Sequence, residues 1–286
     1  MSTRKAIRKV VLFALVVVVL AFIYLPVLWL ISASMSTRVE LMSVPAHWIP
    51  QHPTLKNYLD IFLPGSAASE VSRAIGITLV NSLKVASAVT LICLVVGGLA
   101  AYALVRINNF RYSRGIMVGI LGTRMIPEVS LVIPLFILAS RFRLIDTPAV
   151  LILTYLTFSL PFAIWLMAAF FQTIPIDLED AARIDGCSRL ETLFRVVMPI
   201  SAPGLVSTGL FIFLLAWDEF FYALIFTSTM ASKTAPVAIA EFVGRYVTDI
   251  NAMMAAGVLV AIPPVLLALL FQRYIVSGMT AGAVKG

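Results

Sequence analysis

Charge is what this sequence has least of. Asp, Glu, Lys and Arg make up 12% of its 286 residues while 61% are hydrophobic, and mean hydropathy is +1.02. That charged share is about half the usual globular figure. It is too small to solvate the surface of a soluble domain of this length, which leaves an integral membrane protein. Cysteine is nearly missing: Cys93 falls in an apolar run and Cys187 in a polar loop, so no disulfide framework is implied. The only histidines, His47 and His52, lack HExxH spacing, which argues against a metalloenzyme. No GxxxxGK[ST] phosphate loop occurs, so the chain cannot cradle ATP by that device. Acids are the scarcer sign, 14 against 21 Lys and Arg, for a net charge of +7. The surplus bases crowd at the ends of apolar runs, where anionic headgroups favour them, and need no nucleic acid to explain them.

What the sequence has is apolar length. Runs near the roughly 20 residues that cross a bilayer occur at about 10–33, 77–105, 115–140, 149–172, 203–228 and 252–276. Continuous stretches such as VVLFALVVVVLAFIYLPVLWLI do not fit the alternation of a β-barrel. An all-α polytopic fold with six transmembrane helices is expected. The first run is longer than a cleaved signal core, so it reads as an uncleaved anchor. Pro26, Pro127, Pro134, Pro161, Pro263 and Pro264 lie inside runs, where neighbouring helices can re-satisfy freed carbonyls, and they predict kinks. Arg4, Lys5, Arg8 and Lys9, then Arg106, Arg111 and Arg114, then Arg183, Arg189 and Arg195 fall on the side of the termini. The opposite loops are longer and carry fewer positives, so both termini are expected in the cytoplasm. The expected organisation is a cytoplasmic N-terminus (1–9), a six-span domain (10–276) with a cytoplasmic loop at 173–202, and a cytoplasmic tail (277–286).

That loop carries LEDAARIDGCSRLETLFRVVMPIS, with five acids and three arginines between Asp177 and Arg195. Asp177, Glu179 and Asp180 suit the first turn of a helix, where carboxylates complement the dipole. Leu178, Ala181 and Ala182 form one narrow apolar face. Gly186 stands where a helix ends left-handed, and Ser188 with Glu191 forms a capping box that starts the next helix. Leu190, Leu193, Phe194 and Val197 give that helix its own face, and Pro199 stops it. A loop lying along the headgroups is the alternative reading. Such a loop would favour Lys and Arg, whereas this one is net negative, and its small alanines admit another backbone. Both features favour docking into a groove of a protein partner.

The stretch resembles the EAA loop of ABC importer membrane subunits. Asp180, Ala181 and Ala182, then Gly186, then Val196, Met198 and Pro199 stand at that motif's spacing, with Asp, Val and Met in place of Glu, Ile and Leu. The resemblance implies a coupling helix seated in a cytoplasmic ATP-binding subunit, with Glu179, Asp180, Ala181, Ala182, Asp185 and Gly186 at the contact. AYALVRINNFRYSRG, LPFAIWLMAAFFQTIP, AWDEFFYALIFT and the tail RYIVSGMTAGAVKG together look like the shorter six-span permease of maltose-type carbohydrate importers. Asp218 stands where that family usually has Asn. The likeness implies a type I importer permease fold with no catalytic residue, cofactor or metal of its own. It further implies a second permease, two ATP-binding subunits that hold ATP and Mg, an extracytoplasmic solute-binding protein, and a carbohydrate substrate.

Four of the charges inside apolar runs fall in two close pairs. Arg124 and Glu128 are spaced i, i+4, and Asp218 and Glu219 are adjacent. Such groups are costly in lipid and usually face a cavity or each other, so they either line a translocation path or, for Arg124 and Glu128, satisfy one another along a helix face. Tyr155, Phe158, Trp165 and Tyr222 can stack on a sugar or simply pack. A permease for a non-sugar solute remains an alternative. So does a self-sufficient secondary carrier, although no matching broken segments mark two repeated halves.

Overall fold

A computed structural model describes residues 3–45, 47–63, 70–106, 110–241 and 250–281, and every regular element among them is helical. In chain order these are α1 (Thr3–Ser34), α2 (Arg38–Leu41), α3 (Lys56–Phe62), α4 (Glu70–Arg106), α5 (Phe110–Thr123), α6 (Glu128–Arg141) and α7 (Pro148–Gln172). There follow α8 (Ile176–Ile184), α9 (Arg189–Thr192), a π-helical stretch (Leu193–Val197), α10 (Met198–Ile200), α11 (Ala202–Trp217), α12 (Phe221–Phe226), α13 (Ala235–Glu241) and α14 (Ile250–Ala281). Four helices are long and apolar enough to cross a membrane, and there are up to six spans if each of two bent pairs counts as one.

Two of the six expected spans are not continuous helices. The run at 115–140 is broken between α5 and α6, which meet at 87°. Pro127 sits at the break as the N-cap of α6, and a proline biases the residue before it, here Ile126, away from helical ψ. Pro26, Pro134, Pro161, Pro263 and Pro264 all lie inside helices instead. The run at 203–228 is interrupted after Trp217. Glu219 stops it by accepting the amides of Tyr222 (2.6 Å) and Ala223 (3.2 Å), which starts α12 afresh.

The chain divides into two compact units. The first comprises residues 1–76 and 238–262. Within it the end of α1 is tied down by polar contacts: the Ser34 and Tyr58 hydroxyls meet at 2.5 Å, and Asn57 and Asn251 donate to the carbonyls of Ser34 and Ser36. The apolar side chains of α1 between Val10 and Ile23 are exposed, as suits a helix whose solvent is lipid.

The second unit comprises 77–237 and 263–286. Here α7 packs between α4 and α11 at close range, which small residues permit. A Cβ added to Gly204 of α11 would lie 2.6 Å from Phe170 Cδ1, and one added to Gly97 of α4 would lie 3.2 Å from Ala163 Cβ. At one end of this unit Ala101, Tyr102 and Leu104 of α4, Met167, Ala168 and Phe171 of α7, and Leu193 and Val197 of the charged loop form one buried cluster.

Candidate functional site

Backbone chemistry explains the bend in the charged loop. The α8 helix ends in a paired hydrogen bond in which Cys187 N–H reaches Ala182 O (3.0 Å) and Gly186 N–H reaches Arg183 O (3.1 Å). This termination demands a left-handed residue, and Gly186 supplies it with φ +93°. Two residues on, Glu191 N–H donates to Ser188 Oγ (3.3 Å) and Ser188 N–H to Glu191 Oε2 (2.9 Å), a reciprocal cap that starts α9. The amide and hydroxyl of Ser188, and then Arg195, hold the Glu191 carboxyl below its usual range.

The loop has two faces. Leu193 and Val197, four residues apart, are buried in the cluster with α4 and α7, each contributing roughly 1.5–3 kcal/mol by burial. Facing away are Leu178, Asp180, Ala181, Asp185, Gly186, Leu190 and Phe194, all exposed, with Ala182 half-buried and Ile184 86% exposed at the tip. Among the described residues Asp180 meets Arg183, at 3.8 Å, on the surface.

Glu179, expected among the contact residues, lies apart from this exposed face. It is 4% exposed and turns inward. Its Oε1 meets Arg106 Nε at 2.6 Å and its Oε2 accepts Tyr102 OH at 2.9 Å. Arg106 Nη2 then donates to the carbonyls of Phe171 (3.0 Å) and Ile174 (2.7 Å). One guanidinium therefore joins the ends of α4 and α7 to the first turn of α8. Sequence reasoning missed both partners, although Tyr102 and Arg106, four apart at the end of an apolar run, offered the signal.

The intramembrane charges fall at the two helix breaks. Arg124 and Glu128 make no ion pair, because the break at Pro127 removes the helix face that would align them. The Arg124 guanidinium lies 5.3 Å over the ring of Phe162 instead, a cation–π contact. Asp218 is exposed, while Glu219 turns inward as the cap of α12. Of the four aromatics, Tyr155 and Tyr222 are fully buried and Phe158 stacks on Tyr222 at 6.2 Å, whereas Trp165 is 43% exposed.

A clamp that sequence reasoning missed holds the connection after α6. Asp146, at φ +62°, accepts the amides of Ser228 (2.7 Å) and Thr229 (2.9 Å) and the Ser232 hydroxyl, while its own N–H donates to Phe226 O (2.9 Å). Burial raises the Asp146 carboxyl, but the Ser232 hydroxyl and the two amides outweigh it and bring it down to about 2. Asn81 of α4 braces the same segment by donating to Ala231 O (2.9 Å) and Lys233 O (3.1 Å).

Residues 94–281 match the family described as binding-protein-dependent transport system inner membrane component. The chain belongs to this family. It is 39% identical over 288 residues to the trehalose transport system permease protein SugB of Mycobacterium tuberculosis, covering 100% of both chains. It is 38% identical to the trehalose/maltose transport system permease protein MalG of Thermococcus litoralis, covering 99% of each. The sulfoquinovosyl glycerol transport system permease protein SmoH of Agrobacterium fabrum is 38% identical, with 91% of this chain and 88% of the relative covered. A crystal structure of a bacterial ABC transporter involved in alginate import superimposes with a TM-score of 0.80 at 19% identity, over 96% of this chain and 98% of that one. The fold is that of an ABC importer permease, and the family places the chain in the inner membrane.

Proposed function

We propose that this permease carries a sugar or sugar derivative inward as one of two membrane subunits, driven by two ATP-binding subunits and fed by an extracytoplasmic solute-binding protein. ATP and Mg belong to the ATP-binding subunits. The sugar assignment is supported by relatives whose names specify trehalose, maltose and sulfoquinovosyl glycerol. The coupling assignment is carried by one observation: the exposed face of the charged loop, with Ile184 at its tip, is backed by Glu179, Leu193 and Val197 buried against α4 and α7. A face so backed passes a push from a closing ATP-binding dimer into the bundle as rigid-body motion.

In this reading Asp180, Ala181, Ala182, Asp185 and Gly186 meet the ATP-binding subunit, and Arg124, Glu128 and Asp218 border the path. Glu219 shapes the path by holding α12. Both termini lie in the cytoplasm.

The test is reconstitution of the purified assembly in liposomes with labelled trehalose or maltose outside. The expected result is uptake that requires ATP and the binding protein, together with a cross-link from a cysteine at position 184 to the ATP-binding subunit. Uptake by this chain alone, driven by an ion gradient, would make it a secondary carrier. ATP-dependent uptake of another solute in place of sugar would overturn only the substrate class.

A further inference from the structure

A cavity of about 550 Å³ opens where α4 ends, α5 begins and α7 ends. Its lining is graded. Arg106, Ser113, Arg114 and Gln172 form the polar part, and Val105 and Met117 the apolar part. Met117 lies one turn further into α5 than Arg114, so along α5 the change from polar to apolar follows the direction into the membrane.

The charges leave the cavity electropositive. Arg106 spends its Nε on Glu179 and its Nη2 on two carbonyls, and Ser113 Oγ closes the turn onto Leu104 O. Arg114 is exposed and makes no ion pair or hydrogen bond among the described residues. Among the described residues the carboxylate facing Arg106 is Glu179, already held on both oxygens.

We propose that this cavity binds the phosphate headgroup of an anionic phospholipid from the leaflet that faces the charged loop, with Arg114 as its principal ligand and Met117 against the glycerol and upper acyl chain. Guanidinium suits phosphate because its donors are paired in one plane, and basic pockets between membrane helices on the cytoplasmic side are where anionic headgroups lodge. A free phosphate ion would use the arginines but leave the apolar wall unfilled. The site adjoins Arg106, so its occupant sits against the residue that anchors the charged loop. Which leaflet supplies the lipid rests on the proposed orientation; binding itself does not.

The test is native mass spectrometry of the assembled transporter, loaded with phosphatidylglycerol or with phosphatidylcholine, for wild type, Arg114→Gln and Arg114→Lys. The wild type is expected to retain one phosphatidylglycerol more than Arg114→Gln, with about fivefold weaker retention in the glutamine variant and most of it restored by lysine. Excess inorganic phosphate should not displace the bound lipid. Equal retention by wild type and Arg114→Gln overturns the site, and displacement by inorganic phosphate reassigns it to a free anion. If a cysteine at position 114 is shielded from a soluble thiol reagent only when the ATP-binding subunits are present, and lipid content makes no difference, the occupant is protein and the proposal is wrong. None of these outcomes depends on which sugar is carried.

Discussion

Two neighbouring acids, Glu179 and Asp180, face opposite ways, and their substitutions should separate accordingly. Glu179→Gln leaves the Arg106 guanidinium buried without its counter-charge. Breaking such a pair from one side costs about 3–5 kcal/mol, so the purified permease should melt at a clearly lower temperature. Asp180→Asn should leave melting unchanged and weaken capture by the ATP-binding subunit. Thermal melting and co-purification on the same samples check both, and a stable Glu179→Gln protein would show the pair to be dispensable. At Gly186 nothing lies within 4 Å of an added Cβ, so within this chain the cost of a side chain is conformational, about 1–2 kcal/mol at positive φ. Substrate-stimulated ATPase and uptake per permease should fall in the order Gly, Asn, Ala, Val, since Asn tolerates the left-handed region and a β-branched residue does not. A valine variant equal to wild type in both assays would make the loop a passive surface. Asp146 carries a pH signature. Its carboxyl is depressed to about 2 from an ordinary value near 3.9, so the clamp's contribution is full above the ordinary value and is lost as pH falls through the lower one. Asp146→Asn should abolish that acid-induced loosening, read as hydrogen exchange at the Ser228 and Thr229 amides between pH 5 and 2.

At the scale of elements, the seam between α7 and α11 depends on Gly204 lying against Phe170. Gly204→Val should force the helices apart and cost roughly 1–3 kcal/mol as overpacking, seen as loss of folded permease in size-exclusion profiles. Pairing it with Phe170→Ala should recover part of that loss, and no recovery would locate the damage elsewhere. Which elements were legible in the sequence follows from what hydropathy measures. Apolar length is a local property, so all six runs could be seen. The bend at Gly186 and the box at Ser188 and Glu191 were legible for the same reason, since both motifs close within a few residues. The breaks at 124–127 and 218–220 were not. Pro127 looks like Pro134 and Pro161, yet of the three only Pro127 sits at a helix break, because whether freed carbonyls find partners is decided by tertiary neighbours. The inward turn of Glu179 was not legible for a kindred reason: its partners lie 73 and 77 residues away, beyond the reach of helical periodicity.

For the whole molecule, cysteine labelling measures sidedness. Cys93 is buried and Cys187 partly exposed, so Cys187→Ser provides a quiet background. Single cysteines at the exposed positions Gln51 and Thr229 should react with an impermeant reagent outside intact cells, and those at Arg114 and Ile184 only after permeabilisation. Labelling of position 184 from outside would undo the coupling assignment. The tail implied by the family resemblance lies beyond the described residues from 282 onward, and deleting 278–286 should lower uptake more than abundance. The anchoring of the charged loop bears on thermodynamic efficiency. A joint with play takes up the first part of any stroke as slack, and the work done there returns as heat. Four short polar contacts on Glu179 and Arg106, with two aliphatic side chains seated behind them, leave little slack at this joint. Loosening it should therefore appear first as more ATP hydrolysed for each sugar delivered, before any fall in the rate of hydrolysis itself.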